Sequence, residues 1–190
     1  MADKLNVITI AGSLRKGSFN AALARQLPKW APEGMSITEA PPWADFPTYN
    51  ADDQNSTGFP ASVTRLGDAI RTADGVIIVS PEYNYGVPGG LKNAVDWVSR
   101  IKDQPFKDKP VALQSASTGP LGASRMQYHL RQTLASIDAM VLIKPEVQLA
   151  FAKDKFDADT VALKDQPSID LVKQQLEAFG KFVRRVAVNA

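Results

Sequence analysis

The sequence predicts an α/β domain built on a five-stranded parallel sheet with helices on both faces, and three observations carry that reading. Short runs of β-branched and aliphatic residues alternate with segments of helical spacing, the signature of strand–helix–strand units. The runs lack polar alternation, as in strands covered on both sides. The unusual polar stretches follow the first, third and fourth strands, and open α/β sheets bind ligands beyond the carboxyl ends of their strands.

Residues 5–11, Leu-Asn-Val-Ile-Thr-Ile-Ala, form the first strand. A polar turn through Asn20 leads into a helix over 21–27 that ends near Pro28, where the ring removes a donor. Residues 35–40 make a weaker second strand. The stretch 41–58 is long and polar yet carries Trp43, Phe46 and Tyr49, side chains costly to leave in water. A loop of that length suits a site rim or a subunit contact better than a plain surface excursion. Helical spacing over 60–73 places Val63, Leu66, Ile70 and Ala73 on one face. Residues 76–79 are the clearest central strand, and 90–101 read as a helix with Leu91, Ala94, Val95 and Val98 inward. A fourth strand at 111–113 is followed by a loop at 115–122, a helix at 124–137, a fifth strand at 140–143 and a closing amphipathic helix at 169–186. No repeat or low-complexity linker divides the chain, so residues 1–190 read as one domain.

Composition narrows the function. A chain of 190 residues with 44% hydrophobic content can bury a proper core. Its 22 basic and 20 acidic residues leave a net charge of +2 with no block of one sign, far from a nucleic-acid-binding profile. Small molecules, anionic ones included, remain as the partner class. The absence of cysteine removes disulfides, thiol nucleophiles, iron–sulfur clusters and CxxC redox pairs. A single histidine, His129, rules out a His-rich metal site and argues against a Ser-His-Asp triad; it reads as a helix-surface or packing residue. Redox chemistry would therefore need a bound organic cofactor. Met-Ala-Asp-Lys at the N-terminus lacks a leader pattern, and no apolar run approaches the ~18 residues of a membrane span. The expectation is a cytoplasmic protein with no membrane, nucleic-acid or metal partner.

The first turn, Gly12-Ser13-Leu14-Arg15-Lys16-Gly17-Ser18-Phe19-Asn20, joins strand to helix. Ser13, Ser18 and Asn20 supply side-chain donors and Arg15 a charge-assisted one. The free N–H groups of the new helix and its positive dipole end point the same way. Neither G-x-G-x-x-G nor G-K-[ST] is present. Hydroxyls in place of glycines suggest a monophosphate seated among side chains rather than a pyrophosphate on bare backbone. Ser18 also reads as a simple N-cap, and Arg15 as a surface cation.

Residues 81–97 are the most specific stretch. Pro81 and Pro88 stiffen its ends, Gly86, Gly89 and Gly90 allow close approach, and Tyr83 and Tyr85 flank Asn84. A flat heteroaromatic ring needs backbone N–H groups along one edge and apolar faces above and below. The alternative is that the two tyrosines pack within the loop; Trp97, on the helix, reads as core.

Together, Gly12-Ser13-Leu14-Arg15 with Ser18 and Asn20, and Pro81-Glu82-Tyr83-Asn84 with Pro88-Gly89, Leu91-Lys92-Asn93 and Asp96-Trp97, resemble the NADPH-dependent FMN reductase family. Within it the likeness is greatest to the bacterial chromate and quinone reductases, and it spans nearly the whole chain. The resemblance implies a flavodoxin-like three-layer sandwich with strand order 2-1-3-4-5, bound FMN, and NADPH or NADH as co-substrate. Carried over by position, Ser13, Arg15, Ser18 and Asn20 would hold the FMN phosphate, with the backbone of 14–19, Phe19 included, assisting. Pro81, Glu82, Tyr83 and Asn84 would line the isoalloxazine. Backbone N–H groups around Asn84, Tyr85 and Gly86 would lie by N5 and the pyrimidine edge, and Ser117 would meet the other side of the ring. Gly86 stands where relatives often carry serine, so backbone contacts are expected there.

The implied activity is transfer of two electrons from NAD(P)H, by a ping-pong mechanism, to a quinone, an azo or nitro compound, or a metal oxyanion such as chromate. Flavin-borne chemistry needs no side-chain catalyst. Arg100 would meet the nucleotide phosphates or an anionic oxidant, or else face the C-terminal dipole of its helix. Arg125 and Tyr128 share a helix face, and with Glu146 they suit a polar network between subunits of a homodimer or homotetramer. Three other functions compete. A flavodoxin-type electron carrier is expected to be strongly acidic, unlike this chain. The others are an FMN reductase releasing free reduced flavin to a partner, and a nucleotide-binding regulator without turnover.

Overall fold

The computed structural model describes residues 4–187; residues 1–3, which bear on the leader pattern, lie outside them. Strands β1 (Leu5–Ala11), β2 (Met35–Glu39), β3 (Gly75–Val79) and β4 (Pro110–Ala116) run parallel in the order β2-β1-β3-β4, with the fifth position beyond β4. β3 and β4 are buried at every residue, which is why their sequences carry no polar alternation. Helices α1 (Phe19–Gln26) and α7 (Gln166–Ala187) cover one face, where Leu23, Leu27, Ile77, Val79, Leu176 and Phe179 interdigitate. Helices α3 (Ala61–Thr72), α4 (Gly89–Val98) and α5 (Ser124–Ala135) cover the other, around Ile70, Ile78, Leu91, Val98, Leu113 and Leu130. This is the expected three-layer sandwich in the expected order.

The fifth strand departs from expectation. In place of one strand at 140–143, the position is divided between β5 (Met140–Val141) and β6 (Val147–Leu149), both parallel to β4. Val141 faces Val111 and Val147 faces Gln114, so the edge segment advances six residues while β4 advances three. The excess leaves the sheet as a bulge, and Ile143, read as a strand residue, is 63% exposed.

Residues 41–58 are not structureless. They contain α2 (Ala51–Thr57), whose N-cap Asn50 accepts from Asp52 N–H at 3.0 Å. The rest is fastened to α4. Trp97 Nε1 and Asn93 Nδ2 donate to the Pro47 carbonyl at 2.8 and 2.9 Å, and Tyr49 N–H donates to Asn93 Oδ1 at 2.8 Å. The Tyr49 ring meets Trp97 edge-on at 5.0 Å. Trp97 is fully buried, as read. Smaller differences concern boundaries. A 3₁₀ turn, Leu27–Trp30, carries the chain through Pro28, tolerated because a first-turn proline has no helical bond to lose. Ser115 ends up inside β4 rather than in the loop after it, α4 stops at Val98, and a short α6 (Ala152–Lys155) follows β6. α7 begins three residues earlier than its apolar stripe, where the Asp165 carboxylate accepts from Ser168 N–H at 3.0 Å.

Candidate functional site

The loops after β1, β3 and β4 meet at one rim of the sheet, and a glycine makes the meeting possible. Gly12 N–H donates to the Val79 carbonyl at 2.8 Å. A Cβ on Gly12 would lie 2.3 Å from Ser80 Oγ, so any larger residue would push the end of β1 away from β3. The close approach leaves Ser13 Oγ 3.5 Å from the Tyr83 hydroxyl, joining the first loop to the second.

The first loop is rich in unpaired donors. Ser18 caps α1 by accepting from Ala21 N–H at 3.2 Å, and its hydroxyl proton remains to be donated outward. Ser13 Oγ accepts a long bond from Arg15 N–H at 3.4 Å and is likewise able to donate. The amides of Lys16, Gly17, Phe19 and Asn20 have no hydrogen-bond partner among the described residues. Arg15 and Lys16 are exposed beside them. The Phe19 ring is turned into the core, 4.9 Å from Phe156, so only its backbone faces the loop.

Asn20 also has a structural task. Its Oδ1 accepts from Ala116 N–H at 2.8 Å and its Nδ2 donates to the Ala116 carbonyl at 2.9 Å, in a buried setting. The last rung from β3 is Ser80 N–H to the Gln114 carbonyl at 3.0 Å. The Asn20 amide supplies the next pair of bonds after β3 has turned away, as a strand peptide would. One Nδ2 proton is left for a ligand, so the side chain's main work is to clamp the first loop to β4.

The second loop contains a tight turn. Tyr83 and Gly86 exchange two backbone bonds, at 3.1 and 2.9 Å. Asn84 and Tyr85 between them have φ of 49° and 66°, the type I′ arrangement. A tyrosine held in this left-handed region is uncommon, and such strain gathers at binding sites. The Gly86 N–H, expected near the ligand, is engaged inside the turn; the amides of Asn84 and Tyr85 remain without a partner among the described residues. The rings of Tyr83 and Tyr85 are 50% and 64% exposed, so they do not pack within the loop. Pro81 is half-buried behind them.

Glu82 ties this loop to α5. One carboxylate oxygen accepts from Met126 N–H at 3.1 Å, satisfying a donor that the left-handed N-cap Ala123 leaves open. The other lies 3.3 Å from Arg125 Nη1. The Arg125 guanidinium in turn stacks on the Tyr85 ring at 3.9 Å. In the third loop, Ser117 Oγ donates to the Gly119 carbonyl at 3.3 Å, and its backbone is held by Leu149 and Ala152.

Arg125, Tyr128 and Glu146 belong to two groups within the chain. Arg125 sits with Glu82 and Tyr85, whereas Glu146 pairs with Lys144 at 3.1 Å and Arg131 at 3.8 Å. Arg131, which sequence reading missed, also donates to the Leu142 carbonyl at 2.8 Å. Burial lowers its pKa, against the raising charges of Glu146 and Tyr128. The spacing Tyr128-x-x-Arg131 held the signal, since residues three apart share a face. Tyr128 is 54% exposed. Arg100 lies over the Tyr49 ring at 5.4 Å, beyond the end of α4. His129 is exposed, and no group of three or more His, Asp or Glu among the described residues could hold a metal ion. Trp43, read from sequence as part of a site rim or subunit contact, donates its indole N–H to the Ala11 carbonyl at 3.0 Å and lies where a Cβ on Gly90 would come within 2.7 Å of its ring.

Known proteins resemble this chain in sequence and fold. The chain is 53% identical over 188 residues to the quinone reductase of Escherichia coli K12, covering 99% of this chain and 100% of the relative. It is 45% identical over 186 residues to the NAD(P)H-dependent FMN reductase of Pseudomonas aeruginosa, covering 98% and 99%. The flavoenzyme NAD(P)H:(acceptor) oxidoreductase of Paracoccus denitrificans superposes with a TM-score of 0.84 at 31% identity, over 95% of this chain and 98% of that one. The family model for NADPH-dependent FMN reductases matches residues 5–154, the span that holds all three loops, and the chain is a member of that family.

Proposed function

We propose that the chain binds FMN at the junction of the three loops and catalyses NAD(P)H + H⁺ + quinone → NAD(P)⁺ + hydroquinone. The observation that carries the reading is the set of unpaired donors on one rim. The amides of Lys16, Gly17, Phe19 and Asn20 and the hydroxyls of Ser13 and Ser18 supply a set of donors suited to a phosphate monoester, and Arg15 adds the charge. The unpaired Asn84 and Tyr85 amides suit the polar edge of a flat ring. These residues fit FMN. When bound, FMN supplies two-electron chemistry between a nicotinamide and an oxidant.

The chain's own contribution is position and charge. The Ser13–Tyr83 contact and the Asn20 clamp hold the loops at fixed separation. The type I′ turn leaves the Asn84 and Tyr85 N–H groups free of partners among the described residues, and fixed dipoles of that kind stabilise developing negative charge. The exposed face beside Tyr83 and Tyr85 is open to solvent, and one open face receives nucleotide and oxidant in turn, which gives ping-pong kinetics. The same reading extends to azo and nitro compounds and to chromate as oxidants. It also takes Tyr128, Arg125 and Glu146 as contacts between copies in a homodimer or homotetramer, and Arg100 as a residue at the outer approach to the site. No described helix is long and apolar enough to cross a membrane.

A yellow protein that retains FMN through gel filtration and oxidises NAD(P)H only when a quinone is supplied supports the proposal. A protein that neither takes up added FMN nor oxidises either nucleotide overturns it. Loss of FMN on the column, with free flavin reduced in solution, would favour the second reading, an FMN reductase that releases its product.

A further inference from the structure

The inward face of α5 carries a polar residue that neither the core nor the reaction explains. Met126, Leu130 and Leu134 are buried between this helix and the sheet, and Gln127 is fully buried with them. A leucine there would avoid the cost of taking an amide out of water. Gln127 Nε2 donates one proton to Ser115 Oγ and the other to the Val147 carbonyl, both at 2.8 Å. Its own Oε1 has no partner among the described residues. Turning the amide over would set that oxygen against the Val147 carbonyl, which can only accept. The two acceptors therefore dictate the orientation, at the expense of the side chain's own oxygen.

Ser115 passes the connection on. Its hydroxyl, also fully buried, donates to the Gly122 carbonyl at 2.5 Å, seven residues further along the chain. That bond closes the base of the third loop. Gly122 and Ala123 have φ of 56° and 66°, and a Cβ on Gly122 would lie 2.5 Å from the Gln148 carbonyl, so the loop enters α5 pressed against the backbone of β6. Within the loop, Ser117 N–H donates to the Leu149 carbonyl at 3.0 Å, and Ala152 N–H donates to the Ser117 carbonyl at 2.9 Å. One amide on α5 thus ties together β4, β6 and both ends of the segment that carries Ser117. We infer that Gln127 is a positioning residue for the third loop: by holding Ser115 and Val147 together it fixes the base of the loop, and with it the place of Ser117 beside the bound ring. The inference rests on the FMN site proposed above and extends it to a residue that touches no ligand.

Amide exchange and flavin spectroscopy test it together. Gln127→Met keeps the length of the side chain and removes both donors, while Ser115→Ala removes the hydroxyl alone. In flavin-free protein each variant should speed exchange of the Ser117 and Ala152 amides about tenfold, the scale of one net hydrogen bond. With FMN added, Kd should rise about three- to tenfold and the visible circular dichroism band of the bound flavin should weaken. A loss of global stability alone moves neither flavin reading at temperatures far below Tm. Wild-type exchange at Ser117 and Ala152 in both variants would overturn the inference, as would faster exchange with Kd and the flavin band unchanged. If Gln127→Met does not fold, Ser115→Ala supplies the same readings. A wild-type protein that takes up no FMN would sink the reductase reading instead, and exchange in the flavin-free protein would still decide whether Gln127 holds the loop.

Discussion

Replacing Asn20 separates the building of the site from its use. The Asn20 amide makes two buried bonds to the backbone of Ala116, which is 2% exposed. In Asn20→Ala both Ala116 groups stay buried and lose their partner. Each such orphan costs about 1–3 kcal/mol, so the apoprotein should lose about 2–5 kcal/mol. For a chain of this size that is a fall in Tm of about 5–15 °C. Asn20→Leu keeps most of the volume and removes the same two bonds, so it should lose a similar amount. Urea denaturation of flavin-free protein measures both variants, and FMN titration follows separately. An apoprotein within about 0.5 kcal/mol of wild type, the range of an ordinary surface change, would refute the clamp. Unchanged stability with weakened FMN binding would return the side chain to a direct phosphate contact.

Other outcomes follow from the same geometry. Arg15→Ala should weaken FMN binding by about 1.5–3 kcal/mol, the scale of a charge-assisted hydrogen bond, read by fluorescence titration, with stability of the apoprotein unchanged. Gly86→Ser should fold normally, because a Cβ there meets nothing nearer than the Tyr83 carbonyl at 3.7 Å, whereas Gly12→Ala places one 2.3 Å from Ser80 Oγ and should lower Tm by several degrees. Asp165→Ala removes the cap of α7 and should cost about 1 kcal/mol. The Ser168 hydroxyl is the largest influence and holds the Asp165 pKa below its usual value; burial opposes it, and the Ser168 N–H and the Lys155 charge add smaller lowering effects. A depressed folded pKa means that the stabilisation is complete above the unfolded value of about 3.9 and fades as pH falls through the folded one. Thermal melts should therefore show the mutant and wild type converging only below about pH 4.

The sheet was legible because buried parallel strands leave uninterrupted apolar runs, as in Val76-Ile77-Ile78-Val79, whereas its strand order followed only from the family resemblance. The three loops were legible because their hydroxyls, prolines and glycines serve no core. The divided fifth strand was not, since β5 and β6 together hold so few residues that no periodicity can form. α2 escaped notice because all of its residues face solvent or nearly so, and only the Asn50 cap marks its start. The donors at the site were readable as residue types, but their directions were not. Asn20 bonds a strand peptide that lies 96 residues away in sequence, and Glu82 accepts from a helix terminus on α5. Such choices depend on which backbone groups the fold leaves unpaired, and local sequence does not carry that.

The divided fifth strand also bears on how the protein avoids self-association by sheet extension. A strand arriving from another molecule to lengthen the sheet would find two residues of template at Met140–Val141, then an outward bend carrying the Lys144 and Glu146 charges, then three more at Val147–Leu149. Neither stretch is long enough to hold a partner strand of ordinary length, and the charged bend blocks a register that would span both. The interruption leaves this border of the sheet closed to fibre-like growth.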